Sequence, residues 1–176
     1  MTDKIIVQNF LDKESFSSLK THFESNRVLW EYVDGVVEKD DKDFQFVYPV
    51  WCPYTGIVAS QETWSYVGDV LDLLDVEIII RAKVNLRTKT DAHEETRYHT
   101  DEVTTGGLTG IYYINTNNGY TKFEDGDVIE SVENTMVIFP NHIKHCGGSS
   151  TDTNRRLVLN LNWLPRKEST KYSNIL

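Results

Sequence analysis

Apolar positions change their rhythm near residue 76. Before that point they recur at three- and four-residue spacing in two stretches. Phe16, Leu19 and Phe23 predict an amphipathic helix over about 13–25, with Asp12 placed to accept the free amides of its first turn. Trp64, Val67, Leu71 and Leu74 predict a second over about 60–75, opened by Ser60. Residues 5–7, 28–33 and 44–50 read as short strands, and the charged run 36–43 as a hairpin tip or loop. The aromatic, proline-bearing stretch with Tyr48, Trp51 and Tyr54 fits either a lid over a substrate or packing on the outer face of a sheet.

Beyond residue 76 the pattern becomes short apolar or alternating runs broken by turn residues. We expect about eight strands there, over 78–86, 96–101, 108–115, 120–123, 128–132, 135–139, 143–146 and 155–164. Asn117-Asn118-Gly119 predicts a hairpin turn, and Glu124-Asp125-Gly126-Asp127 another tight turn. Strands this regular predict a sandwich or barrel of jelly-roll type. The expectation is a single domain over 1–176: an N-terminal support to residue 76, a β core over 77–164, and a polar, disordered tail.

Charge and composition narrow the partners. Lys and Arg number 18 against 27 Asp and Glu, a net charge of −9, which argues against nucleic acid or an anionic membrane as the main partner. It also slightly favours a neutral or cationic substrate. No apolar run approaches the roughly 20 residues of a membrane helix. The N-terminus lacks a signal-peptide pattern, and two cysteines, Cys52 and Cys146, are too few for a disulfide framework. The expectation is a cytoplasmic protein with reduced thiols, monomeric or homodimeric.

The candidate chemistry lies in Arg97-Tyr98-His99-Thr100-Asp101 and Asn141-His142-Ile143-Lys144-His145-Cys146. In an extended segment side chains alternate, so His99 and Asp101 point the same way. His145 follows a separate apolar strand. Two imidazoles and one carboxylate on one face of an ion leave its other positions open, the arrangement of non-heme Fe(II) oxygenases. His142 is poorly placed as a co-ligand, His22 and His93 are assigned to the surface, and Cys146 reads as a small buried residue.

These residues sit among further motifs. Thr109-Gly110-Ile111-Tyr112-Tyr113-Ile114-Asn115 resembles the I-Y-Y-L-N strand of the prolyl-4-hydroxylase-like group of 2-oxoglutarate- and Fe(II)-dependent dioxygenases. Gly119 to Phe123 resembles its G-x-T-x-F element, Phe139-Pro140 before His145 its approach to the distal ligand, and Arg155 to Trp163 its terminal R-x-x-x-x-x-N strand. The resemblance covers about 77–164. It implies a double-stranded β-helix, mainly β, with N-terminal helices packed on the major sheet. It implies Fe(II), 2-oxoglutarate as co-substrate and O2, with His99, Asp101 and His145 as metal ligands. The implied reaction is hydroxylation of a peptidyl residue such as proline, or of a small molecule, coupled to decarboxylation of 2-oxoglutarate to succinate. Asp101 favours hydroxylation, because related halogenases lack this carboxylate.

Arg155 or Arg156 is then expected to hold the distal carboxylate of 2-oxoglutarate, since Arg matches a buried carboxylate bidentately. If Arg156 points inward, so do Asn160 and Asn162, while Leu157, Leu159, Leu161 and Trp163 face the helices; the opposite choice strands two amides in an apolar layer. We therefore expect Arg156 inside and Arg155 at the surface or paired with a helix carboxylate. The resemblance makes Tyr113 a second donor to the same carboxylate. Relatives carry a tyrosine on the strand before H-x-D, absent here, and Asn85 is the candidate replacement. The rival readings are a non-catalytic jelly-roll binding module and a cupin-type metalloprotein.

Overall fold

A computed structural model of the chain describes residues 3–37, 43–101 and 104–176. Its elements run β1 (Ile5–Gln8), α1 (Lys13–Glu24), β2 (Glu31–Asp34), β3 (Phe44–Cys52), β4 (Gly56–Ile57), α2 (Gln61–Asp72), β5 (Val76–Thr88), β6 (Leu108–Tyr113), β7 (Tyr120–Phe123), β8 (Val128–Glu130), β9 (Thr135–Pro140), β10 (His145–Gly148) and β11 (Arg155–Pro165). The major sheet has the order β1-β9-β6-β11-β5-β3-β2, with β4 on β3; a minor sheet has the order β10-β7-β8. The pairings are antiparallel. This is the expected mainly β jelly roll with helices on its major sheet.

Both helices start at the expected caps. Asp12 Oδ1 accepts the Glu14 and Ser15 amides at 2.9 and 3.1 Å, and Ser60 Oγ accepts the Thr63 amide at 3.2 Å. Their apolar stripes supply one core. Leu19, Phe23, Val67 and Val70 pack with Leu157, Leu159, Leu161 and Trp163 on the outer face of the major sheet. Tyr48 and Trp51 join this layer, while Tyr54 is exposed, so that aromatic stretch packs the sheet. A second core of Ile111, Tyr113, Phe123, Val137, Phe139 and Val158 fills the space between the two sheets. Strands β6 and β9 are buried at every position because both faces are covered.

Several expectations need correction. Residues 96–101 form no ladder strand; they touch the minor sheet only through isolated bridges, Glu95 with Gly148 and His99 with His145. The segment is polar and lacks an alternating apolar face to hold a longer pairing. Asn117-Asn118-Gly119 turns the chain but makes no hairpin, since β6 and β7 lie in different sheets. The turn is local: Asn117 Oδ1 accepts the Gly119 amide at 2.9 Å. A true hairpin joins β7 and β8, with Gly126 at φ +98°. Between residues 28 and 33 only the end is strand. The tail is ordered, with Tyr172 fully buried against Trp163, ring centroids 6.1 Å apart. Seven described strands follow α2, one fewer than expected. The tip of the 36–43 run, residues 38–42, lies outside the described residues. Among the described residues no helix is long and apolar enough to cross a membrane.

Candidate metal and 2-oxoglutarate site

His99 and His145 exchange both backbone hydrogen bonds: the His99 amide donates to the His145 carbonyl at 3.0 Å, and the His145 amide to the His99 carbonyl at 2.9 Å. This bridge sets the two side chains side by side, ring centroids 4.6 Å apart. Asp101, two residues along the same extended segment, comes to the same place. Ligand atoms of His99, Asp101 and His145 all lie within 4.8 Å of one another. A one-bridge contact thus replaces the expected strand without altering the convergence.

Each imidazole is oriented for metal binding. His99 Nδ1 lies 3.0 Å from the Arg97 carbonyl and His145 Nδ1 lies 3.3 Å from the Ile143 carbonyl. A carbonyl only accepts, so Nδ1 carries the proton in each ring and the Nε2 lone pair is left for an ion. His145 Nε2 and Asp101 Oδ2 are 3.9 Å apart, too far for a hydrogen bond. That gap fits two metal–ligand bonds of about 2.1 Å. Burial pushes the His145 pKa down, in favour of the neutral ligand form.

Asp101 is held from behind. Arg81 Nη2 donates to Oδ1 at 2.7 Å, Asn160 Nδ2 to Oδ2 at 3.0 Å and Asn162 Nδ2 to Oδ2 at 3.3 Å. Burial alone would raise the carboxyl pKa, but the charge of Arg81, with His145 and the Asn160 bond, holds it far below the usual carboxylate range. The carboxylate is therefore ionised at any physiological pH. The two asparagines point inward as strand alternation requires. Arg81 was missed as a partner. Its signal was present, an arginine on the inward face of β5 in register with Asn162.

At the other end of the same cavity lies Arg156, 7 % exposed. Its Nε donates to Ser131 Oγ at 2.9 Å, and its Nη2 to the Tyr120 carbonyl at 3.2 Å and to Thr121 Oγ1 at 3.4 Å. Among the described residues no carboxylate pairs with it, and burial lowers its pKa to about 10. Arg155 points the other way and donates to the Glu24 carbonyl at the end of α1, at 2.9 Å, rather than to a helix carboxylate.

Tyr113 lies a layer behind the cavity. Its hydroxyl donates to Thr121 Oγ1 at 2.8 Å, its ring lies under the Arg156 guanidinium at 5.7 Å, and Thr121 is the residue that lines the cavity. The hydroxyl is thus already engaged by the protein. Asn85 does line the cavity, and its Oδ1 is buried with no hydrogen-bond partner. Cys146 is buried beside His145, and burial raises its pKa. His142 and His93 are exposed; His22 is half-buried and bonds Thr63 Oγ1 at 2.8 Å.

This architecture is the fold of the 2-oxoglutarate- and Fe(II)-dependent oxygenases, in the form found in prolyl hydroxylases. A prolyl-4-hydroxylase from Pseudomonas putida superposes with a TM-score of 0.63 at 15% identity, covering 93% of this chain and 92% of that one. A Trichoplax adhaerens prolyl hydroxylase, solved with a hypoxia-inducible-factor degradation-domain peptide, gives 0.61 at 12% over 96% and 86%. A non-heme α-ketoglutarate-dependent epimerase from nogalamycin biosynthesis gives 0.60 at 12% over 93% and 78%. No protein-family profile matches the sequence, and no curated protein sequence is similar to it.

Proposed function

We propose that the protein is a 2-oxoglutarate- and Fe(II)-dependent dioxygenase that hydroxylates an unactivated C–H bond. The observation that carries this reading is one cavity with two distinct ends. At one end three metal-ligand side chains converge. At the other a buried guanidinium has no carboxylate of its own among the described residues. A buried, unpaired charge is costly, so a fold that keeps one there is built to receive an anion.

His99, Asp101 and His145 would hold Fe(II), and Arg156, with Thr121 beside it, would receive the distal carboxylate of 2-oxoglutarate. Bound together, the ion and 2-oxoglutarate supply the activation of O2; the net reaction converts substrate C–H, 2-oxoglutarate and O2 to C–OH, succinate and CO2. The protein's part is positioning. Carbonyls of Arg97 and Ile143 fix the tautomers of the two histidines. Arg81, Asn160 and Asn162 fix Asp101. Ile111 and Val158 give the cavity an apolar wall that limits water.

Relatives in fold act on different substrates, a prolyl residue in one case and an antibiotic intermediate in another, so the fold leaves the substrate open. The test is turnover of 2-oxoglutarate without a prime substrate. With Fe(II), ascorbate and air, the wild-type protein should form succinate slowly, and Asp101→Ala should abolish it. Absence of succinate from the wild type, or equal formation by the variant, contradicts the reading and favours a binding module.

A further inference from the structure

Strand β5 presents every second side chain to the cavity side: Arg81, Lys83, Asn85 and Arg87. By register with β11, Arg87 faces Arg156, Lys83 faces Asn160 and Arg81 faces Asn162. Lys83 therefore lies near the metal end, beside the asparagine that holds Asp101. Like charges directly across a ladder, as Arg87 and Arg156 are, oppose folding. The strand keeps its cations in spite of that.

The local charge balance is one-sided. Four cationic side chains, Arg81, Lys83, Arg87 and Arg156, line or touch this cavity. Among the described residues two carboxylates answer them: Asp101, and Asp43, which reaches Arg87 at 2.7 Å. Fe(II) and the 2-oxoglutarate dianion cancel each other. Two positive charges remain in a half-enclosed space, inside a protein whose total charge is −9. Overall charge misleads about the substrate here, because a cleft focuses its own field.

We propose that the prime substrate carries a negatively charged group, a carboxylate or a tetrahedral oxyanion such as phosphate or sulfate, bound by Lys83 close to the carbon that is oxidised. This rests on the oxygenase reading and adds the substrate's charge to it. An ammonium is a compact charge on a flexible stem and suits either anion shape.

Small anions can serve as probes. The anaerobic Fe(II) protein, saturated with 2-oxoglutarate, is titrated with acetate, sulfate or phosphate, and with neutral acetamide, at matched ionic strength. The readout is the metal-to-ligand charge-transfer band. The expected result is a saturable shift with at least one anion and none with acetamide. Lys83→Met should weaken that response at least tenfold while keeping the band, and Lys83→Arg should restore it. Acetate against the two tetrahedral anions separates the two substrate chemistries. The proposal is overturned if no anion shifts the band, if acetamide acts equally, if the anions merely erase the band by displacing 2-oxoglutarate, or if Lys83→Met responds like wild type. Absence of the band altogether defeats the oxygenase reading itself, and this proposal with it.

Discussion

Arg81 Nη2 lies 2.7 Å from Asp101 Oδ1, so the carboxylate expected to bind the metal is already neutralised by an arginine on the neighbouring strand. The pair is asymmetric: the Asp101 side chain is 6% exposed and that of Arg81 25%. In metal-free protein Arg81 is the main counter-charge of a buried carboxylate. With an ion bound, that burden is shared.

Arg81→Met should therefore destabilise the metal-free protein by roughly 1–3 kcal/mol, less than the ~3–5 of a fully buried broken pair because Arg81 is partly exposed. Co(II) should recover most of that loss, since the ion supplies the missing charge. Urea unfolding with and without Co(II) checks both halves. A variant as stable as wild type without metal would show that the pair contributes nothing.

The two adjacent arginines should separate cleanly. Arg156→Ala removes the buried guanidinium and should weaken 2-oxoglutarate binding at least tenfold; Arg155→Ala, which breaks a bond to the Glu24 carbonyl, should leave it within about twofold. Titration of the anaerobic charge-transfer band measures both, and the reverse order would refute the inward assignment of Arg156.

Gly119 offers a test of the same end without touching the arginine. A Cβ there would lie 2.7 Å from Arg156 Cδ and 2.9 Å from the Gly148 carbonyl oxygen. Gly119→Ala should push the guanidinium aside, cost about 1–3 kcal/mol in stability and weaken 2-oxoglutarate. Normal 2-oxoglutarate affinity in this variant would mean that Arg156 does not set it.

Acidification should loosen the metal-free fold through His145. Its pKa is lowered by burial, so between that value and 6.5 the unfolded chain binds the extra proton and the folded one does not. Stability is full above about pH 6.5 and falls below it. His22 contributes in the same direction, also through burial. Asp101 does not act in this range, because its contribution is lost only below its ordinary value of 3.8. Urea midpoints from pH 7.5 to 5.5 should fall, and fall less in His145→Asn; identical slopes would remove His145 as a cause.

Much of the site was legible because it obeys strand alternation. His99 with Asp101, and Arg156 with Asn160 and Asn162, follow from a period of two plus the cost of burying amides without partners. The convergence of His145 on His99 was legible only through family resemblance, since no local rule pairs residues 46 positions apart. The role of Arg81 was hidden for a related reason: alternation fixes the face of a side chain, not its partner on another strand. Turn chemistry misled at Asn117-Asn118-Gly119, because it specifies reversal of the chain and not which sheet the next strand joins. The tail was misjudged by composition. Its polar residues outnumber its anchors, yet Tyr172 and Ile175 find the edge of the helix–sheet core.

The account stands most directly on the anaerobic spectrum of the protein with Fe(II) and 2-oxoglutarate. It predicts a weak metal-to-ligand charge-transfer band in wild type that is lost in His99→Ala and in His145→Ala. A wild-type protein without the band, or a band that survives loss of either histidine, would contradict it.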